Sequence, residues 1–386
     1  MAISANLLKA TSQFRTWMIN HALPLWSTTG IEQSSAGSHE RLLASGEPDL
    51  ESTKRARVQC RQLFVFASAA EMGWLVNAEQ VVEGINHFLQ QHAARTDIPG
   101  MYAHLLDPQN KVIDKQQDLY DIAFFLLAAA YRYRVTNKPD ALQQANQLTA
   151  HIESTLKKAP GGWMEGDYPA KERRQNPHMH LFEAFLALYD TTRDGKWLAK
   201  AGEIFCLFET CFFDHQHHVL REFFQDDWQP SPGQRGNIVE PGHMMEWVWL
   251  LRKYQQFSDT PVDSYCHHLH HNALALGQDK STGLLFDEIT PTGEVLSATK
   301  RCWTLTELLK ANLAQATAGH VECEEGAAQA IELLFKYYLS EQVEGSYIDQ
   351  LDADNNVVME LAPASTLYHL MLACTEAVKY CESNDH

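Results

Sequence analysis

Three stretches of this chain read almost alike: GMYAHLLDPQNKVID from Gly100, GLLFDEITPTGEVLS from Gly283 and GSYIDQLDADNNVVM from Gly345. Each runs from a glycine through a short apolar strand and a turn rich in Asp, Pro, Asn or Gly into a second short strand. That is the pattern of a β-hairpin. Weaker copies begin at Gly161 (GGWMEGDYP) and His217 (HHVLREFFQDDWQP). The copies recur at roughly 60 residues, room for two helices and a connection, so the chain reads as repeated helix pairs punctuated by hairpins.

Apolar residues at helical spacing mark about twelve helices between the hairpins. They lie near residues 6–23, 53–72, 77–92, 116–136, 139–155, 176–192, 195–212, 239–257, 262–276, 301–318, 324–339 and 362–381. Six helix pairs can stack into an open solenoid or close into a ring, and a solenoid needs polar capping repeats at its ends. Here the last helix, PASTLYHLMLACTEAVKYC, is as apolar as the middle ones, which favours closure against the first pair. The expected fold is an all-α (α/α)6 barrel, with six inner helices, six outer ones and the hairpins gathered at one end. No Pro/Gly/Ser-rich linker divides the chain, so residues 1–386 form one domain. The polar segment 27–52 is the exception to the repeat, and reads either as a lid loop or as a disordered connection.

Bulk properties narrow the function. With 386 residues and 45% hydrophobic content the chain can bury one large core. A net charge of −18 disfavours nucleic acid, whose phosphates require clustered Lys and Arg, and suits a small neutral ligand better. No apolar stretch is long enough to span a membrane. The opening residues lack the basic and apolar regions of a secretory signal, so a cytoplasmic location is expected. The eight cysteines form no C-x-x-C pair and read as buried, reduced thiols.

The chemistry collects in the second helix of each pair. There, Arg57 and Arg61 stand beside Phe64 and Phe66, and Tyr120 precedes a very apolar run. Asn176, His178, His180 and Glu183 open another such helix, His243 and Glu246 the next, then Trp303 and Glu307, and finally His369 among Leu and Met. A lone histidine on an apolar helix is usually a core residue satisfied by its neighbours. Six parallel helices carrying such groups are harder to dismiss, because a closed ring makes them converge. His243 and Glu246, three apart, and Trp303 and Glu307, four apart, share helix faces. Histidine can remove and return a proton near neutral pH, arginine can stabilise an enediolate oxygen, and aromatic rings suit the apolar face of a sugar. The set is apparatus for proton transfer beside a carbonyl. No phosphate-binding glycine loop and no G-x-S-x-G turn is present.

The segments RVQCRQLFVFASAAEMG, NPHMHLFEAFLALYD, EPGHMMEWVWLL, CWTLTELLKA, and LDADNNVV followed by PASTLYHLM resemble the N-acylglucosamine 2-epimerase superfamily. That superfamily includes cellobiose 2-epimerases and aldose–ketose isomerases, and the likeness extends from residue 57 to 372. The resemblance implies an (α/α)6 barrel and a metal-independent, cofactor-free reaction. It gives His243 and His369 the places of two catalytic histidines, with Glu246 and His180 as supporting acid–base groups and Arg61 on the reacting oxygens. Tyr120, Asn176, Arg235, Trp303 and Glu307 take sugar-binding places. LDADNNVV and Tyr-His-Leu look closest to the D-mannose isomerase branch, although that branch sets Arg directly before the Trp. Here Cys302 precedes Trp303, and Arg301 stands one step further away.

The expectation is interconversion of D-mannose and D-fructose through a cis-enediolate, by a monomer or homodimer. A sugar 2-epimerase using the same histidines is the alternative. A glycoside hydrolase on the same barrel, with carboxyl groups drawn from Glu183, Glu246 and Glu307, is more distant. A non-enzymatic helical-repeat binding protein would display its polar residues on an open concave face. His215, His217, His218 and the HHLHH run from His267 lack a zinc spacing and read as solvated surface.

Overall fold

The computed structural model describes residues 3–158, 160–339 and 342–384. Two kinds of helix alternate along it. The first kind buries residues all round. In α5 (Leu119–Thr136) nearly every residue from Leu119 to Arg132 is inaccessible, as befits a helix wedged between neighbours on every side. The same holds for α3 (Ala56–Glu71), α7 (Gln175–Thr192), α9 (Pro241–Ser258), α11 (Cys302–Thr317) and α13 (Ala364–Asn384). The second kind buries one stripe: in α6 (Pro139–Thr155) it is Ala141, Ala145, Leu148 and Ile152, a single face against the ring. To this kind belong α4 (Ala78–Phe88), α8 (Gly195–Leu207), α10 (Asp263–Gly277) and α12 (Cys323–Tyr337), together with α1 (Ala5–Trp17).

The inner helices pack in sequence, α3 on α5, α5 on α7, and so on to α11 on α13, and α13 then packs on α3. The ring is closed, as its apolar last helix required. The outer helix α1 differs from expectation at its end. Pro24 has no N–H to donate, and a sequence reading stops there. The chain instead passes through a π turn at Met18–Ala22, which absorbs the misfit, and continues as α2 (Leu23–Thr28).

The hairpins carry the repeat. In three of them the fourth turn residue takes a left-handed conformation: Asn110 at φ 65°, Gly293 at φ 91° and Asn355 at φ 67°. In each, its N–H returns to the first residue (3.0 Å to Asp107 O, 3.0 Å to Thr290 O, 3.1 Å to Asp352 O). Asn and Gly bear this geometry at least cost, which is why the turns are legible in the sequence. The same turn recurs at Trp228 (φ 66°) and at Gly46 (φ 85°).

The last of these lies inside segment 27–52. That segment, expected to be a lid or a disordered connection, is folded onto the barrel as a further copy of the repeat. Its strand Arg41–Leu43 pairs antiparallel with Leu361–Pro363, just before α13, and so joins the two ends of the ring. Buried Ser38 is tied to Gln59 of α3 by two hydrogen bonds of 2.7 Å.

Each hairpin is stitched to the start of an inner helix. The carbonyls of His104, Glu165, Glu222, Asp349 and Glu40 accept from the first N–H of α3, α5, α7, α11 and α13 in turn, at 2.8–3.2 Å. Helix α9 starts with Pro241, which cannot donate, and there Val239 and Ile289 exchange a pair of 2.9 Å bonds instead. Orphan N–H groups at the inner-helix starts are thereby satisfied. The side chains at these stitching positions consequently crowd one end of the barrel, and most are acidic.

Candidate active site

Most stitches place an acidic side chain beside an inner-helix start. At α9 the residue is Glu222, and its target is His243. Glu222 Oε2 accepts from the His243 Nδ1–H at 3.0 Å and from Gln175 Nε2 at 2.8 Å. Glu240 Oε2 lies 3.7 Å from the same imidazole nitrogen. The other ring nitrogen, Nε2, faces Asn176 Nδ2 at 3.3 Å and the cavity. Burial alone would disfavour an imidazolium. Glu222 and Glu240, helped by Glu246, overcome it and push the His243 pKa up to about 10.

His369 has the opposite character. Its Nδ1 lies 2.8 Å from Glu307 Oε1, so its Nε2 is the nitrogen directed away from that carboxylate. Burial comes first, and the nearby Arg61 and Lys310 add to it, holding the imidazole well below its ordinary value and neutral at physiological pH. The Trp303 ring packs against both histidines, with centroids 5.0 Å from His243 and 5.7 Å from His369. Gly242 makes room for it: a Cβ there would sit 2.7 Å from two atoms of the indole.

Arg61 is the cavity's unneutralised cation. Its guanidinium donates to Tyr120 Oη at 2.6 Å and to the Ser365 carbonyl at 3.3 Å, and it lies over the Phe124 ring at 4.1 Å. Among the described residues no carboxylate forms an ion pair with it. Arg301, by contrast, is shared between Glu240 at 2.9 Å and Asp287 at 3.1 Å.

His180 and Glu246 line the same cavity as the two histidines. His180 Nδ1 lies 3.2 Å from Glu183 and 3.8 Å from Glu246. Its burial outweighs these carboxylates and lowers its pKa to about 4. Glu246 is buried with neither oxygen hydrogen-bonded by the protein. Burial and the charge of Glu307 raise its pKa well above the carboxylate range, leaving a protonated acid with an O–H to offer. Tyr368 donates to Glu183 from behind.

These groups line one polar cavity of about 220 Å³, together with half-buried Asp349 and with Thr366, whose hydroxyl donates to Asp349 at 2.5 Å. Of the residues expected from sequence, Arg61, Tyr120, Asn176, His180, His243, Glu246, Trp303 and His369 meet at this cavity. Glu307 lies behind His369, fully buried. Arg235 stands apart from the lining: it pairs with Glu172 at 2.5 Å and stacks over Phe223 at 3.2 Å. His178 belongs to the core, with Nε2 accepting from Trp163 N at 3.1 Å and Nδ1 donating to the Arg174 carbonyl at 2.9 Å.

Sequence reasoning passed over Glu222, Glu240 and Asp349, and noted Arg301 only as an arginine displaced by one position from the family's place. Superposing the repeats finds Glu222 and Asp349, since each stands at the stitching position one residue before a hairpin strand. Two triads, His180 with Glu183 and Glu246, and His243 with Glu222 and Glu240, have donor atoms within 4.8 Å of one another. In each, a histidine Nδ1 lies within 3.8 Å of both carboxylates, a spacing that proton sharing accounts for.

The family profile described as N-acylglucosamine 2-epimerase (GlcNAc 2-epimerase) matches residues 37–373. The chain belongs to this family. Among its relatives, a protein named mannose-6-phosphate isomerase from Rhizobium meliloti (strain 1021) is 34% identical over 382 residues, covering 93% of this chain and 94% of that protein. A cellobiose 2-epimerase from Bacteroides fragilis is 24% identical over 60% of this chain and 62% of its own length. The solved structure of a D-mannose isomerase superposes with a TM-score of 0.84 at 22% identity, over 95% of this chain and 97% of that one. As an N-acylglucosamine 2-epimerase family member, the chain is an enzyme of the sugar isomerase and epimerase class with the (α/α)6 fold.

Proposed function

We propose that the protein is an aldose–ketose isomerase acting on an unphosphorylated monosaccharide, D-mannose to D-fructose. One observation carries this reading: two buried histidines reach the same small cavity, each with Nδ1 anchored on a carboxylate, in surroundings that favour the imidazolium of His243 and, through burial, Arg61 and Lys310, the neutral ring of His369. Neutral His369, with a free Nε2 lone pair, is the base that takes the C2 proton of the open-chain aldose. The imidazolium of His243 and the acid Glu246 donate hydrogen bonds to the sugar oxygens as charge develops on them. Arg61, with no carboxylate to neutralise it, stabilises the enediolate. Return of the proton to C1 yields the ketose. Return to the opposite face of C2 would give the epimer, the second reading, which the same histidine pair also supports.

A cavity of about 220 Å³ suits one hexose better than a disaccharide. Its charge argues against a sugar phosphate, despite the name of the Rhizobium relative. Arg301 is already neutralised, Arg61 alone is free, and Glu240 and Asp349 stand in the lining. Arg61 is the one lining cation without a carboxylate partner among the described residues, too little free positive charge to match a phosphate dianion. The test is incubation with D-mannose and, separately, D-mannose 6-phosphate, followed by product identification. Fructose from mannose is expected, with the phosphate ester a poor substrate. Glucose from mannose would establish the epimerase reading, and no conversion of any free aldose would refute both.

A further inference from the structure

Lys310 is a fully buried lysine on α11 that takes no part in lining the cavity. Its Nζ lies 2.6 Å from Glu307 Oε2, while the other oxygen of the same carboxylate lies 2.8 Å from His369 Nδ1. The chain of contacts therefore runs from ammonium to carboxylate to imidazole to cavity. Trp249 of α9 presents its ring 4.0 Å from Nζ, so no water shares the charge on that side. The other titratable groups facing it are Glu246 of α9, Glu183 of α7 and Glu376 of α13, each near enough to interact electrostatically with the ammonium. An ammonium so deeply buried is costly unless its carboxylates compensate it, and breaking one side of such a pair leaves the other exposed to the same cost.

We propose that Lys310 is a positioning residue for the isomerase or epimerase reaction: it holds Glu307 as a carboxylate, which in turn fixes the His369 proton on Nδ1 and leaves the Nε2 lone pair for the substrate. This rests on the reading of His369 as the base. The physical logic is a proton count. Burial drives Glu307 toward its neutral form, and the Lys310 ammonium is the principal force opposing it. Without that ammonium the Glu307–His369 unit gains a proton. If Glu307 takes it, the acid O–H donates to Nδ1 and the imidazole proton moves to the cavity side. If His369 takes it, an imidazolium faces the substrate. Either way the lone pair is lost. Groups facing His369 from its other neighbours, Arg61 of α3 and His180 of α7, disfavour a further cation, and His180 and His243 act on Glu307 in the same direction as Lys310 but less strongly.

The experiment is the pH profile of kcat/KM for sugar conversion in Lys310→Met, Glu307→Gln and the double variant, beside the wild type. Active kinetics require the deprotonated unit, so a raised proton affinity moves the acid limb upward. Removal of a close opposite charge shifts such a group by about one to three pH units. The expected result for Lys310→Met is that displacement, a loss of about tenfold or more in kcat at neutral pH, recovery toward alkaline pH, and KM within about twofold. The double variant should be no worse than Glu307→Gln alone. A loss uniform across pH, an unchanged profile, or additive effects in the double variant would overturn the proposal.

Should Lys310→Met fail to fold, nitrogen-15 NMR of the wild-type histidines decides, with His369 assigned by its loss in His369→Ala. A neutral ring protonated on Nδ1 at pH 6 is expected; an imidazolium or the Nε2-protonated form there would refute the idea. Absence of any sugar conversion by the wild type would defeat the functional reading, whereas conversion with an unmoved Lys310→Met profile would defeat this inference alone.

Discussion

At the scale of single residues, the histidines divide the work by what stands behind them. Glu222 and Glu240 make His243 an acid, and burial, with Arg61 and Lys310, keeps His369 a base. His243 must be protonated to donate, and its folded pKa of about 10 lies above the ordinary 6.5. Activity should therefore persist through neutral pH and fall as pH rises toward 10. Glu222→Gln removes the strongest anionic partner and should bring that alkaline limb down, which a kcat/KM profile against pH will show. The same sign governs stability: the His243–Glu222 contribution is complete below about 6.5 and is lost as pH rises through about 10. His243→Ala and His369→Ala should each abolish conversion while leaving far-ultraviolet circular dichroism unchanged.

The limits of sequence reading are also clearest among residues. His243, His369 and Arg61 were legible because polar groups recur on apolar inner helices that a closed ring makes converge. Glu222 was not, since an acid just before a short strand looks like surface until the stitch to the helix start is known. Lys310 was hidden for a related reason: a lysine near the middle of a helix ordinarily points to water, and only the ring closure buries this one.

At the scale of elements, the repeat was legible wherever the hairpin turn used Asn or Gly in its left-handed place. It was missed in segment 27–52, where Gly46 does the same job but the flanking strand, Arg41–Leu43, finds its partner more than 300 residues away, at Leu361–Pro363. Long-range pairing leaves no local pattern to read. The closing hairpin should matter for stability. Leu42 is fully buried between the ends of the ring, and Leu42→Ala should cost roughly 2–5 kcal/mol in equilibrium unfolding by denaturant. Gly242→Ala is the corresponding test at the site. Its Cβ would press on Trp303 at 2.7 Å, and the strain, about 1–3 kcal/mol, should appear as reduced stability together with a lower kcat.

At the scale of the whole molecule, the ring gathers the inner-helix starts and hairpin stitches at one end, and the reaction centre sits where they converge. Both histidines draw on neighbours from several repeats, so the site exists only in the closed barrel. The net charge of −18 and the acidic mouth suit a neutral sugar. Because protein carboxylates and imidazoles supply every proton step proposed, exhaustive chelation should leave turnover intact, and activity restored by one divalent ion would count against that scheme.

The central claim, proton transfer by His369 through a cis-enediolate, is tested most directly by running the D-mannose reaction to equilibrium in deuterated water and locating the label by NMR. Fructose carrying deuterium at C1, and no labelled product from His369→Ala, is the predicted result. Fructose formed without solvent deuterium, or full labelling by His369→Ala, would contradict it.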